Sequence, residues 1–145
     1  MSVPIVTLRC IKAIGTFSVA AFTPTDVVPD PAITTAVPVG VARIEKEFAG
    51  EITGRSATLF TAAFDQATGA GAYVAMESFE GALHGRMGSF NFAHSATTHG
   101  TDRTAEFFTI VPASGTGELV GITGTGGLSV DTDGAHHIWF EYELD

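Results

Sequence analysis

Ala72-Tyr-Val-Ala-Met-Glu-Ser-Phe-Glu80 and Leu83-His-Gly-Arg-Met-Gly-Ser-Phe-Asn-Phe-Ala-His-Ser95 flank Gly81-Ala82, and the alternation within them decides the fold. Both runs change character every second residue, the period of a half-buried strand. With Gly81-Ala82 as the turn, Glu80 faces Leu83, Tyr73 faces Phe90, Ala75 faces Gly88 and Glu77 faces Arg86. One face of the hairpin then carries Tyr73, Ala75, Glu77, Phe79, Arg86, Gly88, Phe90, Phe92 and His94. The other carries Ala72, Val74, Met76, Ser78, Ser89, Asn91, Ala93 and Ser95. The first face holds the aromatics and the ionisable groups together, a pattern that suits a lined cavity better than a dry core.

Working outward, Gly15–Ala21, Val41–Phe48, Glu51–Phe64 and Thr104–Val111 read as further strands. The chain ends in a hairpin of Leu128–Asp131 and His136–Leu144 around Asp133-Gly134, a strong turn signal. In the last strand His136, Ile138, Phe140, Tyr142 and Leu144 share the better interior face; His137, Trp139, Glu141 and Glu143 share the other. Trp139 there is either an ordinary surface aromatic or a subunit contact. Residues 22–40 hold four prolines, Pro24, Pro29, Pro31 and Pro38, and so form a loop or lid rather than a central strand. Pro112–Gly127 is glycine-rich, with one helical turn over Glu118–Ile122 and a role as turn and plug. Seven or eight short strands with tight turns and no βαβ alternation predict an all-β fold with little helix. The expected form is one domain over residues 1–145, a closed antiparallel β-barrel of about eight strands.

Composition agrees. Of the 145 residues 45% are hydrophobic and 16% charged, which excludes disorder, and eleven are Phe. The net charge of −9, from 16 acidic against 7 basic residues, disfavours nucleic acid and anionic membrane surfaces as partners. Cys10 is the only cysteine, and no Cys/His spacing suits zinc, so neither an internal disulfide nor a metal is expected. Residues 1–13 are interrupted by Arg9 and Lys12, unlike a secretion signal, and no apolar run approaches a membrane span. A cytoplasmic protein is the expectation. Gly115–Gly121 lacks the ending of a P-loop and the spacing of a dinucleotide site, and no nucleophile elbow or zinc-protease motif occurs.

Ala72-Tyr-Val-Ala-Met-Glu77, Leu83–Phe90 with His94-Ser95, Val111-Pro-Ala-Ser-Gly-Thr-Gly-Glu-Leu119 and Asp133-Gly-Ala-His136 together resemble the bacterial domain-of-unknown-function family 3224. The resemblance runs from Gly15-Thr-Phe17 to the C-terminus. That family is in turn similar to allene oxide cyclase-like eight-stranded barrels. The likeness implies a barrel with a hydrophobic cavity and a homo-oligomer, dimer or trimer. Two departures stand out: the Pro-rich segment is longer than usual, and Ile138-Trp139 occupies the place of a Tyr and an acidic residue.

These readings converge on a cofactor-independent isomerase or cyclase acting on a hydrophobic, unsaturated small molecule of secondary-metabolite type. Glu77, His94 and Tyr73 are its candidate proton-transfer groups, because a carboxyl or imidazole among aromatic rings has a shifted pKa. Arg86, Phe90, Phe92, His136, Ile138, Phe140 and Tyr142 are the candidate ligand-binding residues. Glu77 paired structurally with Arg86, and His94 as a satisfied core imidazole, are the bland readings beside these. A non-catalytic ligand-binding or carrier barrel is the alternative function.

Overall fold

A computed structural model describes residues 9–144. It contains eight strands: β1 Cys10–Pro24, β2 Gly40–Gly50, β3 Ile52–Phe64, β4 Gly71–Leu83, β5 Arg86–His99, β6 Asp102–Ile110, β7 Thr123–Val130 and β8 His136–Glu143. A single 3-10 turn, Gly117–Leu119, interrupts them. They form one antiparallel sheet in the order β6-β5-β4-β3-β2-β1-β8-β7, and its two edge strands come side by side. The result is a nearly closed barrel. Among the described residues no helix is long and apolar enough to cross a membrane.

Closure demands sharp bending, and paired glycines supply it. Gly54 and Gly81 lie opposite each other on β3 and β4 with φ of 133° and 155°. A Cβ on Gly81 would meet the Thr53 carbonyl oxygen at 1.9 Å, so the backbones cross where no side chain fits. Bulges do the rest. The β1–β2 register shifts between Val19 and Ala21, which changes phase so that Phe22 meets Phe60 at 6.3 Å.

The β4–β5 hairpin differs from the sequence reading in one respect. Its turn is His84-Gly85, with positive φ of 49° and 77° at both residues, and Leu83 faces Arg86. Positive φ at both central positions is the geometry that joins two twisted strands without splaying them. Gly81 is therefore a strand residue, and Glu77 faces Phe92 rather than Arg86. The slide is an even number of residues, so every side chain keeps its expected face. Glu77 and Arg86 are not a pair: Glu77 is buried and Arg86 exposed.

The interior divides into two zones. Phe79, Phe90, Phe92, Ile138, Phe140 and Tyr142 pack with Ile52, Leu83 and Ile110 into one buried cluster. The segment after β6 plugs that end of the barrel, placing Leu119 and Ile122 at full burial in the same cluster. It is stitched to β5 by Val111 N–H to the Asn91 carbonyl at 2.8 Å and Thr116 N–H to the Ser89 carbonyl at 2.8 Å. Toward the other end a smaller cluster of Tyr73, Ala75 and Ala96 is backed by Phe60, Ala62 and Phe64. Outside the barrel, Trp139 covers Gly127, whose absent side chain leaves room for the indole. This packs Trp139 within its own chain.

Candidate functional site

Lys46 occupies a position its neighbours declare apolar. It follows Ala42 and Ile44 and precedes Phe48 on the inward face of β2, and it is 6% exposed. A buried ammonium needs a counter-charge. Glu77, 0% exposed on β4, supplies it, with Nζ to Oε1 at 2.9 Å. The same Oε1 lies 2.9 Å from His94 Nε2 on β5, and the Ser56 hydroxyl on β3 donates to Oε2 at 2.6 Å. The network continues to Tyr73, whose hydroxyl is 2.8 Å from His94 Nδ1. Arg103 on β6 donates to the Tyr73 hydroxyl at 2.6 Å and to Glu106 at 2.8 Å.

The charges decide where the protons sit. Burial pushes the Glu77 carboxyl up, but hydrogen bonds from His94 and Ser56 and the charge of Lys46 outweigh it and hold it down at about 2. Burial pushes the His94 imidazole below its ordinary value despite the hydrogen bond with Glu77. A neutral ring beside a carboxylate must carry its proton on Nε2, which leaves Nδ1 as an acceptor. Tyr73 then donates to Nδ1, which agrees with its hydroxyl being pushed up by burial against the opposing pull of Arg103. Every donor thus points one way: Arg103 to Tyr73, Tyr73 to His94, His94 to Glu77. Arg103 itself is held above its ordinary value; burial opposes this, and the Tyr73 and Glu106 contacts outweigh it.

This chain borders a cavity of about 160 Å³ in the end of the barrel opposite the plug. All eight strands contribute to its wall, among them through Phe17, Lys46, Tyr73, His94, Arg103 and His136. Wider hollows lie on the outer face, such as one of about 540 Å³ beside Trp139. The loop between β1 and β2 leaves from the cavity end, yet none of its described residues lies on the cavity wall.

Sequence reasoning named Glu77, His94 and Tyr73, and the fold joins the three directly by hydrogen bonds. Of the expected ligand-binding residues, His136 borders the cavity, with its ring 4.9 Å from that of Phe17. Phe90, Phe92, Ile138, Phe140 and Tyr142 lie in the packed zone, and none of them is on the wall of this cavity. Arg86 is exposed at the plugged end. Lys46, Ser56 and Arg103 were missed. The first was legible, since it shares the inward phase of Ala42, Ile44 and Phe48. Arg103 was not, because β6 is out of step with β5 between Ser95 and Thr97 and Ala105 takes a positive φ of 50°.

Among the described residues no group of three His, Cys, Asp or Glu side chains is placed to hold a metal ion. Fold and site together define a small antiparallel β-barrel with a hydrogen-bonded network of ionisable groups at the edge of a cavity in one end of the barrel. Residues 13–142 match the family model described as "Protein of unknown function (DUF3224)". The chain belongs to that family. It is similar to a crystal structure of a DUF3224 family protein of unknown function from Shewanella oneidensis MR-1, at 31% identity and a TM-score of 0.78. That match covers 94% of this chain and 99% of the other. No curated protein matches the sequence.

Proposed function

We propose that this barrel is a cofactor-independent isomerase, moving a proton within a small unsaturated molecule held at the cavity end. The observation that carries the reading is the directed chain Arg103–Tyr73–His94–Glu77, with Tyr73 and His94 both on the cavity wall. Tyr73 first passes its proton to His94 Nδ1. The phenolate so formed takes a proton from an activated carbon of the substrate, whose bonding electron pair stays on the substrate as a delocalised carbanion. The transient phenolate is held by Arg103, and the imidazolium by the Glu77 carboxylate. Delivery of the solvent-exchangeable His94 proton to a different carbon completes an isomerisation with no net oxidation and no net proton uptake, Tyr73 keeping the proton it took. A positioned acid–base group of this kind is worth about 10²–10⁴ in rate. The cyclase variant of the same reading rests on the likeness to allene oxide cyclase-like barrels and uses the same groups.

The test is incorporation of solvent deuterium. Incubating a metabolite extract with the purified protein in D₂O should label and convert one component, and Tyr73→Phe should abolish both effects. A component that binds to the wild type without labelling or conversion identifies a carrier instead.

A further inference from the structure

The polar groups on the cavity wall are Lys46, Tyr73, His94, Arg103, Ser129 and His136, and no carboxylate is among them. In a chain of net charge −9 this wall presents cations, while the carboxylates paired with them, Glu77 and Glu106, lie off it. Glu77, the one buried acid among the described residues, is turned into the network, both oxygens being engaged by Lys46, His94 and Ser56. Among the described residues the cations have donors to spare. Lys46 carries three N–H groups, and one of them reaches Glu77, while its ammonium lies 4.6 Å from the centre of the Phe17 ring. Arg103 carries five, and among the described residues it uses its Nε–H on Glu106 and an Nη2 hydrogen on Tyr73.

Spare donors on the buried Lys46 ammonium are costly when unmet, those on the partly buried Arg103 less so, and an acceptor oxygen relieves both. The size of the space limits what brings that oxygen. At about 160 Å³ it lies well below the roughly 300–1,000 Å³ of a site for a drug-sized ligand. The remainder of the wall is apolar, with Phe17, Val19, Ile44, Phe60, Leu128 and Val130. A head with acceptor oxygens joined to a short apolar body matches both parts.

We propose that the cavity binds a short-chain carboxylate, with its oxygens received by Lys46 and Arg103 and its hydrocarbon against the apolar wall. The proposal rests on the isomerase reading for the site's use, and it names the ligand class that the reading leaves open. A carboxylate conjugated to a double bond, seated there, brings its γ-carbon hydrogens within the province of Tyr73.

The experiment is a titration of the full chain followed by nuclear magnetic resonance, with but-2-enoate, its neutral amide and inorganic phosphate as probes. But-2-enoate should shift the His94, Ser129 and His136 signals saturably, and the amide and phosphate should need at least about tenfold higher concentration, equivalent to 1.4 kcal/mol. Arg103→Gln should weaken but-2-enoate by a similar factor and leave the amide unchanged, with Arg103→Lys intermediate. Equal affinity for acid and amide, phosphate binding as tightly as the carboxylate, or no shift at those residues overturns the proposal. Carboxylate binding without deuterium incorporation in any metabolite leaves this inference standing and removes the isomerase. Labelling of a neutral metabolite without carboxylate binding does the reverse.

Discussion

His94 Nε2 lies 2.9 Å from Glu77 Oε1, and this contact orients the proton on every hydroxyl and ring between Glu77 and Arg103. A carboxylate accepts only, so the imidazole must donate from Nε2 and accept at Nδ1. The Tyr73 hydroxyl follows, and Arg103 closes the sequence from the barrel rim. The network is also an electrostatic unit, because Lys46 neutralises the carboxylate at the same oxygen that His94 meets.

Glu77→Gln keeps the shape of the network but leaves the Lys46 ammonium buried without a counter-charge. Breaking a buried pair from one side costs about 3–5 kcal/mol, so the midpoint of urea denaturation should fall accordingly. Replacing both partners, as Glu77→Gln with Lys46→Met, should recover most of that loss. A single Glu77→Gln variant as stable as wild type would show that Lys46 is not held by this carboxylate.

Acid should weaken the fold in two stages. The His94 pKa is lowered in the folded state, so its contribution is complete above its unfolded value of about 6.5 and is lost as pH falls below that value, when the unfolded chain takes up the proton first. The Glu77 pKa is lowered to about 2, so its contribution is present above the unfolded value of about 4.3 and is lost as pH falls from there to about 2. Thermal midpoints measured from pH 8 to pH 2 should decline through both windows. The first decline should vanish in His94→Gln and the second should remain.

Much of this arrangement was legible because strand phase is robust. Placing the hairpin turn at Gly81-Ala82 instead of His84-Gly85 moved the partner of Glu77 from Phe92 to Arg86, six residues along β5, yet left Glu77, His94 and Tyr73 on one face. Gly81 misled because a glycine between two alternating runs signals a turn, whereas here it marks a close crossing with β3. His84 gave no such signal, since the tightness of its turn is set by positive φ on a residue that seldom adopts it. The division of the interior was not legible at all. Phase assigns residues to the inside without saying which height of the barrel they occupy, so Phe90, Phe92 and Phe140 in the packed zone looked equivalent to His136 beside the cavity.

Thr58 faces Glu77 across the β3–β4 ladder, is 4% exposed, and its hydroxyl has no hydrogen-bond partner among the described residues. An unmet buried hydroxyl costs about 1–3 kcal/mol, and valine has nearly the same shape without it. Thr58→Val should therefore raise stability toward the lower end of that range, read as an increased denaturation midpoint at unchanged slope. A decrease would mean that the hydroxyl has a partner in solution.

A second Tyr–His–Glu chain closes the plugged end. His84 Nδ1 is 2.9 Å from the Tyr142 hydroxyl and its Nε2 is 3.2 Å from Glu51, whose other oxygen accepts the Ile14 N–H at 2.9 Å. It ties the β4–β5 turn to β8 and to the β2–β3 connection, and it shares no residue with the Tyr73–His94–Glu77 chain. His84→Asn suits the left-handed backbone, because asparagine tolerates positive φ, but is too short to reach both partners. The expected cost is about 1 kcal/mol. Hydrogen exchange should quicken at Gly85, Arg86 and Tyr142 while protection of His94 and its β4 neighbours is unchanged. Faster exchange at His94 in this variant would mean that the two ends of the barrel are coupled through the packed zone between them.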